Sequence, residues 1–302
     1  MEKQKNDYMS DEEFALKYSR VRQTPFFVPL LFVLGAVCLR RFPWVCGVSL
    51  FFAVLSLGQM LFSNRRLKSD YREHMPRYAL KDKLSRLDAA PGEPVEEAML
   101  RESGMLGAFN DWKERFHVRG VYRNGQADIS FLEIANSREM PNASHPDKPD
   151  YYRGKVFFGM WYAFVWKRDE ETPVIIMEKA DEQELKAAML ETVHAALGTG
   201  DTLCGDTGDQ AFDEIFEVHA ADRKAALSRL DGGVLRAVVR AKEGLDANIR
   251  LSLRGGWLQI GTDNSRPLVE GLSFRGNTTL EEARSKTWDK WKYITDIYDA
   301  LR

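Results

Sequence analysis

Residues 116–135 read FHVRGVYR, then NG, then QADISFLEIA, and this stretch predicts the central feature of the fold. Two runs with alternating apolar and polar residues flank Asn124-Gly125, a pair that readily adopts the positive φ angles of a tight turn. Turns of this kind match the right-handed twist of paired strands. The stretch therefore predicts a β-hairpin within an antiparallel sheet.

The next predicted strand lies in YYRGKVFFGMWYAFVWKR, residues 151–168. Apolar side chains of residues 156–166 fall on both parities, whereas a half-exposed strand is apolar on one parity only. We expect this strand to be covered on both sides, or to meet a helix, a partner or a membrane surface with its second face. A core strand of this kind is commoner than a ligand-binding shelf. The following TPVIIMEK, residues 172–179, predicts its antiparallel neighbour.

A second tight hairpin is predicted at residues 248–261, NIRLSLRGGWLQIG, with its turn at the two adjacent glycines. Its first strand alternates aliphatic residues with Arg250, Ser252 and Arg254. Alternation of this kind predicts that the polar face of the strand is exposed to water.

Helices are predicted mostly from capping boxes, in which a Ser, Thr or Asp and a Glu three residues later cap the first turn. Together with the strands, including AFDEIFEVHA at residues 211–220, they form clusters that do not alternate regularly. This order predicts an α+β fold with an antiparallel sheet and flanking helices. Two of the expected helices begin at Ser10 and at Thr279. Two others span residues 95–112 and 182–197. Residues 222–243 are expected to form one or two further helices, interrupted at Gly232-Gly233.

Two apolar runs precede the sheet: FFVPLLFVLGAVCL at residues 26–39 and VCGVSLFFAVLSLGQMLF at residues 45–62, with Arg40 and Arg41 between them. Neither run carries a charge, so together they predict a transmembrane hairpin of two helices. The first run is short for a hydrocarbon layer about 30 Å thick. The alternative is a single span at residues 42–62, with the first run as a buried or interfacial segment.

A basic segment follows at residues 65–86 and predicts contact with anionic lipid headgroups. Arg65, Arg66, Lys68 and Arg72 are the residues expected to bind them. The alternative is a solvated helix face that follows the positive-inside rule. Cations are denser at the two outer ends of the hairpin than in its turn, which predicts a multi-pass membrane protein with both termini in the cytoplasm.

The net charge and the cysteine content limit the partners and the compartment that the sequence allows. The net charge of −2 offers no general attraction for nucleic acid. Cys38 and Cys46 lie in the apolar runs, which leaves Cys204 alone in the rest of the chain. No disulfide framework is therefore expected, and a reducing compartment fits this cysteine usage.

Short motifs beyond the apolar runs resemble, in their order, the bacterial family known as domain of unknown function 3137. The resemblance covers most of the chain and is most specific in FDEIFEVHAADRKAALSRL, residues 212–230. The predicted helix at 182–197 and a C-terminal extension with Trp288 and Trp291 depart from the family pattern. The motifs are ESGML at 102–106, FG at 158–159, FDEIFEV at 212–218, ADR at 221–223, WLQIG at 257–261 and LVE at 268–270.

The resemblance implies a two-span protein anchored in the bacterial inner membrane, with a cytoplasmic domain and with no established activity or catalytic residues. It also implies a LemA-type membrane protein as a partner. The expected organisation is an N-terminal interfacial helix (1–25), the transmembrane hairpin (26–62), a basic juxtamembrane neck (63–94) and a soluble α+β domain (95–302).

Catalytic chemistry would be sought first in the Gly- and Asp-rich loop at residues 199–213. Cys204 lacks a Cys-His signature, the loop lacks the Gly-Lys-Ser/Thr ending of a P-loop, and its aspartates lack EF-hand spacing. The histidines are scattered without zinc-ligand spacing. We therefore assign no catalytic, cofactor-binding or metal-binding residue from the sequence. The aspartates are Asp201, Asp206, Asp209 and Asp213, and the histidines are His74, His117, His145, His194 and His219.

These observations favour an interaction or scaffolding module. The anchor, the basic neck, the strand that is apolar on both faces and the C-terminal helix with its Trp and Tyr side chains all resemble docking surfaces. The alternative is a membrane-bound hydrolase or ligand-sensing enzyme that uses the loop at residues 199–213.

Overall fold

A computed structural model of the chain describes residues 10–23, 50–58, 74–87, 94–140, 150–166, 172–179, 183–198, 202–263 and 279–302, and the single positions 33, 37, 44 and 48. The backbone divides into two units. The first comprises Met1–Tyr78 and Gly271–Arg284, and the second comprises Ala79–Glu270 and Ser285–Arg302.

The second unit contains one antiparallel sheet of seven strands, which confirms the predicted α+β class with flanking helices. The strands are β1 (Asp111–Tyr122), β2 (Gly125–Met140), β3 (Asp150–Val165), β4 (Val174–Glu178), β5 (Phe216–Ala220), β6 (Asn248–Arg254) and β7 (Trp257–Asp263). The helices are α1 (Asp11–Gln23), α2 (Glu97–Glu102), α3 (Gln183–Leu197), α4 (Gln210–Asp213), α5 (Arg223–Arg229), α6 (Gly232–Leu245) and α7 (Leu280–Leu301). Further helical residues lie at 50–58 and 74–80.

The strand order across the sheet is β1-β2-β3-β7-β6-β4-β5. Both predicted hairpins are present, with Tyr122 opposite Gly125 and Arg254 opposite Trp257. In the first turn the left-handed residues are Arg123 (φ 45°) and Asn124 (φ 73°), one position earlier than Asn-Gly alone indicates. Two residues with positive φ are what a type I′ turn requires.

One side of the sheet, here called face A, carries the larger hydrophobic core. Tyr162 and Phe164 of β3 lie on this face and are fully buried. Helix α7 covers them with Trp291 and Tyr298, whose rings lie 5.8 Å and 4.9 Å from that of Phe164. Helix α6 adds a buried apolar stripe to the same core. Trp291, Ile294 and Tyr298 thus form a buried stripe along the C-terminal helix.

The opposite side, face B, carries a second core. Phe157 and Trp161 of β3 are fully buried there, with ring centroids 5.6 Å apart. They lie against Gly261 of β7, where an added Cβ would meet the two rings at 3.1 Å and 3.3 Å. Residues of α2, of α3 and of the 103–109 segment that follows α2 cover this face. The prediction that β3 is covered on both sides is confirmed.

Two predicted capping boxes are formed by reciprocal hydrogen bonds. The Ser10 amide donates to Glu13 and the Glu13 amide donates to Ser10 Oγ, both at 3.1 Å. Thr279 and Glu282 exchange the same pair of bonds at 2.7 Å and 3.1 Å. The third box, at Asp181, lies outside the described residues.

The first unit holds a small cluster around Phe14 of α1, which is fully buried. Its ring centroid lies 4.6 Å from that of His74. His74 Nε2 lies 2.9 Å from Asp11 Oδ1, and Tyr78 donates a hydrogen bond of 2.8 Å to Glu281 Oε1. These contacts join α1 to His74, and Tyr78 to the start of α7.

Within the described ranges, no helix combines the length and the apolar composition that a membrane span needs. The predicted localisation, a multi-pass protein of the bacterial inner membrane with both termini in the cytoplasm, is therefore wrong. Residues 50–58 are helical. Most of the predicted hairpin at 26–62 lies outside the described residues, and so do Arg65, Arg66, Lys68 and Arg72.

Three other predictions differ from the structure. The helix expected over 95–112 is short, because α2 ends at Glu102 and β1 begins at Asp111. Strand β4 pairs with β5 and β6 instead of β3. The polar side of β6 is only partly exposed to water, since Ser252 is fully buried beneath the cover of face B and Arg250 and Arg254 are half-buried. Long-range packing decides all three.

We expect Gly104→Ala to destabilise the second unit by at least about 3 kcal/mol, measured by chemical denaturation. Gly104 has φ +68°, and an added Cβ would lie 2.5 Å from Ala196 Cβ and 2.7 Å from Ile175 Cδ1. Gly198→Ala is the matched control, because Gly198 has φ +72° with nothing within 4 Å of an added Cβ. The control should lose only about 1 kcal/mol. Equal losses would show that the close approach at Gly104 is unimportant.

Candidate functional site

A cavity of about 810 Å³ lies on face B of the sheet. Its walls come from the end of α2 with the 103–109 segment, from the second half of α3, and from β3, β4 and β6. This volume falls in the range of small-molecule binding sites. Residues far apart in the sequence therefore form one concave surface.

The floor of the cavity contains Arg250, whose side chain is 13% exposed. Its Nη1 donates to the Met105 carbonyl at 2.9 Å, and its Nη2 lies 3.3 Å from Asp263 Oδ2. Lys155 Nζ lies 3.5 Å from the other oxygen of Asp263. Burial lowers the pKa of Arg250, although the charge of Asp263 opposes this effect. Asp263 thus compensates two of the cations beside the cavity.

Arg254 lies four residues after Arg250 on the same face of β6 and is half-buried. Its Nη1 donates to the Glu102 carbonyl at 2.8 Å. Among the described residues, no carboxylate oxygen lies within 4.0 Å of its guanidinium nitrogens. Arg101, by contrast, forms a 2.6 Å ion pair with Glu97. Arg254 is therefore the cavity cation whose charge is least compensated.

The rest of the lining is mostly apolar. Met105, Leu106, Val156, Met177 and Ala196 line the cavity together with small residues. The lining also includes two exposed carboxylates, of Glu102 and Glu191, which water screens more strongly than it screens the half-buried arginines. The arrangement can bind an uncharged or anionic molecule with an apolar part.

A line of buried polar side chains, here called the polar seam, crosses face B beside the cavity. It consists of His117, Trp161, Gln259 and Ser252, and Ser130 lies between the first two. His117 Nδ1, Trp161 Nε1, Gln259 Oε1 and Ser252 Oγ have no hydrogen-bond partner among the described residues. A buried polar group without a partner costs about 1–3 kcal/mol, so the seam lowers the stability of the sheet.

At the β1 end of the seam, Asp128 is buried among donors. Arg119 Nε donates to Asp128 Oδ1 at 2.6 Å, and Gln126 Nε2 donates to Oδ2 at 2.7 Å. His117 Nε2 lies 3.0 Å from Oδ1. Burial by itself would raise the pKa of Asp128, but the hydrogen bonds from His117, Arg119 and Gln126 outweigh it and hold this pKa below its usual value.

The loop suspected of catalytic chemistry uses its polar groups to hold its own backbone. Asp213 accepts hydrogen bonds from the Thr207 amide and hydroxyl and from the Gly208 amide. Asp209 caps α4 by accepting from the Phe212 amide. Among the described residues, no three His, Cys, Asp or Glu side chains are placed to hold a metal ion. Residues 199–201 lie outside the described ranges.

Cys204 of this loop is fully buried in the face A core. Burial raises the pKa of its thiol. His219 follows two residues after Glu217 on β5 and pairs with Ile175, whose side chain belongs to face B. Cross-strand partners share a face, so the sheet separates this histidine from the thiol. The loop therefore does not form a Cys-His pair with His219.

Sequence reasoning did not find the cavity. It assigned Arg250 and Arg254 to a strand face exposed to water, and it treated the helix at residues 182–197 only as a departure from the family pattern, although α3 forms one wall. The available signal was the pair of arginines on a strand next to a fully apolar one. That pattern does not distinguish an exposed face from a polar site beneath a cover.

Comparisons with known proteins add little. No family model matches the sequence, and the comparison with curated proteins finds no match. Membership of the domain of unknown function 3137 family therefore stays a prediction, as does a LemA-type partner. A solved structure of the mycobacterial trehalose monomycolate transport factor A aligns with a TM-score of 0.41 and 13% identity, covering 78% of this chain and 94% of that chain. A likeness this weak establishes neither a shared fold nor a shared function.

We expect Ser252→Ala to leave stability unchanged or raise it by about 1 kcal/mol, because it removes a buried hydroxyl without a partner. Ser103→Ala is the matched control. Ser103 is equally buried, but its hydroxyl donates to the Leu100 carbonyl at 2.7 Å and accepts from the Met105 amide at 3.2 Å. The control should lose about 1–2 kcal/mol in chemical denaturation. A similar loss in both variants would contradict the description of the seam.

We expect Asp128→Asn to lower the free energy of unfolding by about 2 kcal/mol at pH 7, because Arg119 loses its charged acceptor. A carboxyl with a lowered pKa stabilises the fold above its unfolded pKa of about 4, and this contribution is lost as the pH falls through the lower folded pKa. The difference from the unaltered chain should therefore shrink between pH 7 and pH 2 in urea titrations. Asp111→Asn removes an exposed ion pair with Arg153 and should lose less than about 0.5 kcal/mol throughout.

Proposed function

We propose that this chain is an interaction module that binds a small molecule in the cavity on face B. The observation that carries the proposal is the cavity itself, a concave surface of about 810 Å³ with an apolar wall and a few half-buried polar groups. Binding sites for small molecules typically combine these features.

The conformation of the 103–109 segment supports this proposal. The segment and Glu102, the last residue of α2, form one wall, and three contacts hold this wall against the rest of the unit. Arg250 and Arg254 bind the Met105 and Glu102 carbonyls from β6. Gly104 lies in close contact with α3 and β4. A wall held in this way is preformed, which reduces the conformational entropy lost on binding.

The alternative reading, a hydrolase at residues 199–213, finds less support. The carboxylates of Asp209 and Asp213 are engaged by backbone amides, and the thiol of Cys204 is buried. Groups in these roles are not available to a substrate.

The proposal predicts that the purified chain binds the neutral fluorescent probe N-phenyl-1-naphthylamine and that Gly107→Trp weakens this binding at least about tenfold. Gly107 lines the cavity, and an added Cβ there meets only Thr192 Oγ1, at 4.0 Å. An indole at this position has room to fill the cavity. The measurement is a fluorescence titration at constant protein concentration.

Gly107→Ala is the matched control and should bind the probe as the unaltered chain does, since a methyl group fits without displacing a neighbour. Circular dichroism and thermal unfolding check that both variants are folded. Unchanged binding in a folded Gly107→Trp variant, or no saturable binding by the unaltered chain, would refute the proposed site.

A further inference from the structure

The charges of the cavity lining point to the class of molecule that it binds. The lining contains four cationic residues and two carboxylates, Glu102 and Glu191. Both of these glutamates are exposed, whereas Arg250 and Arg254 are only partly accessible. Because charges interact more strongly where water is partly excluded, each arginine affects a ligand at the floor more strongly than either exposed glutamate does.

The cations differ in what already neutralises them. Arg250 and Lys155 approach the same carboxylate, that of Asp263, at 3.3 Å and 3.5 Å. Arg101 is paired with Glu97 and lies over the ring of Phe109 at 4.1 Å. These three cations are therefore largely occupied within the protein.

Arg254 is different. It donates a hydrogen bond to a neutral carbonyl, that of Glu102, which takes one of its N–H donors. Among the residues that the structure describes, no carboxylate lies within ion-pair distance of it. A guanidinium carries further donors in a planar fork that matches a carboxylate or a phosphate. Its charge and its remaining donors thus favour an anionic group.

The apolar part of the lining lies along the same strand. Arg250 and Arg254 are four residues apart on β6, about 13 Å along the strand. The 102–105 segment runs beside them, with Glu102 bound to Arg254 and Met105 bound to Arg250. Met105 and Met177 supply flexible apolar surface at the Arg250 end. A molecule in the cavity can therefore contact Arg254 with one end and the methionines with the other.

We infer that the ligand is a small organic anion, with a carboxylate or phosphate group bound by Arg254 and an apolar body against Met105 and Met177. This inference rests on the proposed function, since it names the chemistry of the molecule that the cavity binds. Carboxylate and phosphate share the recognition chemistry, and the experiment below separates them.

The test measures how three naphthalene compounds displace N-phenyl-1-naphthylamine from the full chain: 1-naphthyl phosphate, 1-naphthoate and the neutral 1-naphthalenemethanol. At least one anion should displace the probe at a concentration about tenfold lower than the alcohol does. The anion with the lower displacement constant identifies the preferred head group. Added salt should weaken the displacement by anions and leave that by the alcohol unchanged.

Arg254→Gln should remove the preference for anions, so that their displacement constants rise about tenfold relative to that of the alcohol. Arg240→Gln is the matched control, because Arg240 is an exposed arginine of α6, which packs on face A. It should leave every constant unchanged.

The outcomes separate the two proposals. Failure of the unaltered chain to bind the probe would overturn the proposed function, and with it this inference. Binding of the probe with equal displacement by the alcohol and both anions would overturn the inference alone. Preference for anions that persists in a folded Arg254→Gln variant would overturn the role of Arg254. The salt dependence of the unaltered chain keeps the inference testable if that variant does not fold.

Discussion

Strand β3 places a constraint on the whole second unit, because it carries large apolar side chains on both of its faces. Tyr162 and Phe164 on face A and Phe157 and Trp161 on face B are all buried. Leaving either set exposed would forfeit about 1.5–3 kcal/mol for each side chain. The sheet must therefore be covered twice, by α6 and α7 on face A and by α2, α3 and the 103–109 segment on face B.

The two covers differ in how completely they fill the space above the sheet. On face A, helices with continuous apolar stripes pack against aliphatic and aromatic strand residues. On face B, the cover consists of the short helix α2, the 103–109 segment and one side of α3, which do not fill the space above β6. The cavity follows from this incomplete cover, and the arginines of β6 bind the carbonyls of Met105 in the segment and of Glu102 at the end of α2.

Face B also contains polar groups that a purely structural face would not need. The polar seam places partnerless atoms of Trp161, Gln259 and Ser252 beneath the cover. Each such atom lowers stability by about 1–3 kcal/mol. Arg250 and Arg254 lie on the same face, and unlike these three residues they line the cavity.

The sequence by itself determined the features that depend on neighbours a few residues apart. Asn124 and the paired glycines at 255–256 specify tight turns, and Ser10 and Thr279 specify helix starts, because the hydrogen bonds concerned span three residues or fewer. Tertiary structure alone decided the strand order, the burial of the polar face of β6 and the cavity. Two contacts are central to the cavity. They join Arg250 to Met105 and Arg254 to Glu102, which are 145 and 152 positions apart in the sequence. No local periodicity encodes such contacts, since they form only when the sheet brings β6 beneath the 102–105 segment. For the same reason, an apolar run such as residues 26–62 predicts burial from composition but not the surface that buries it.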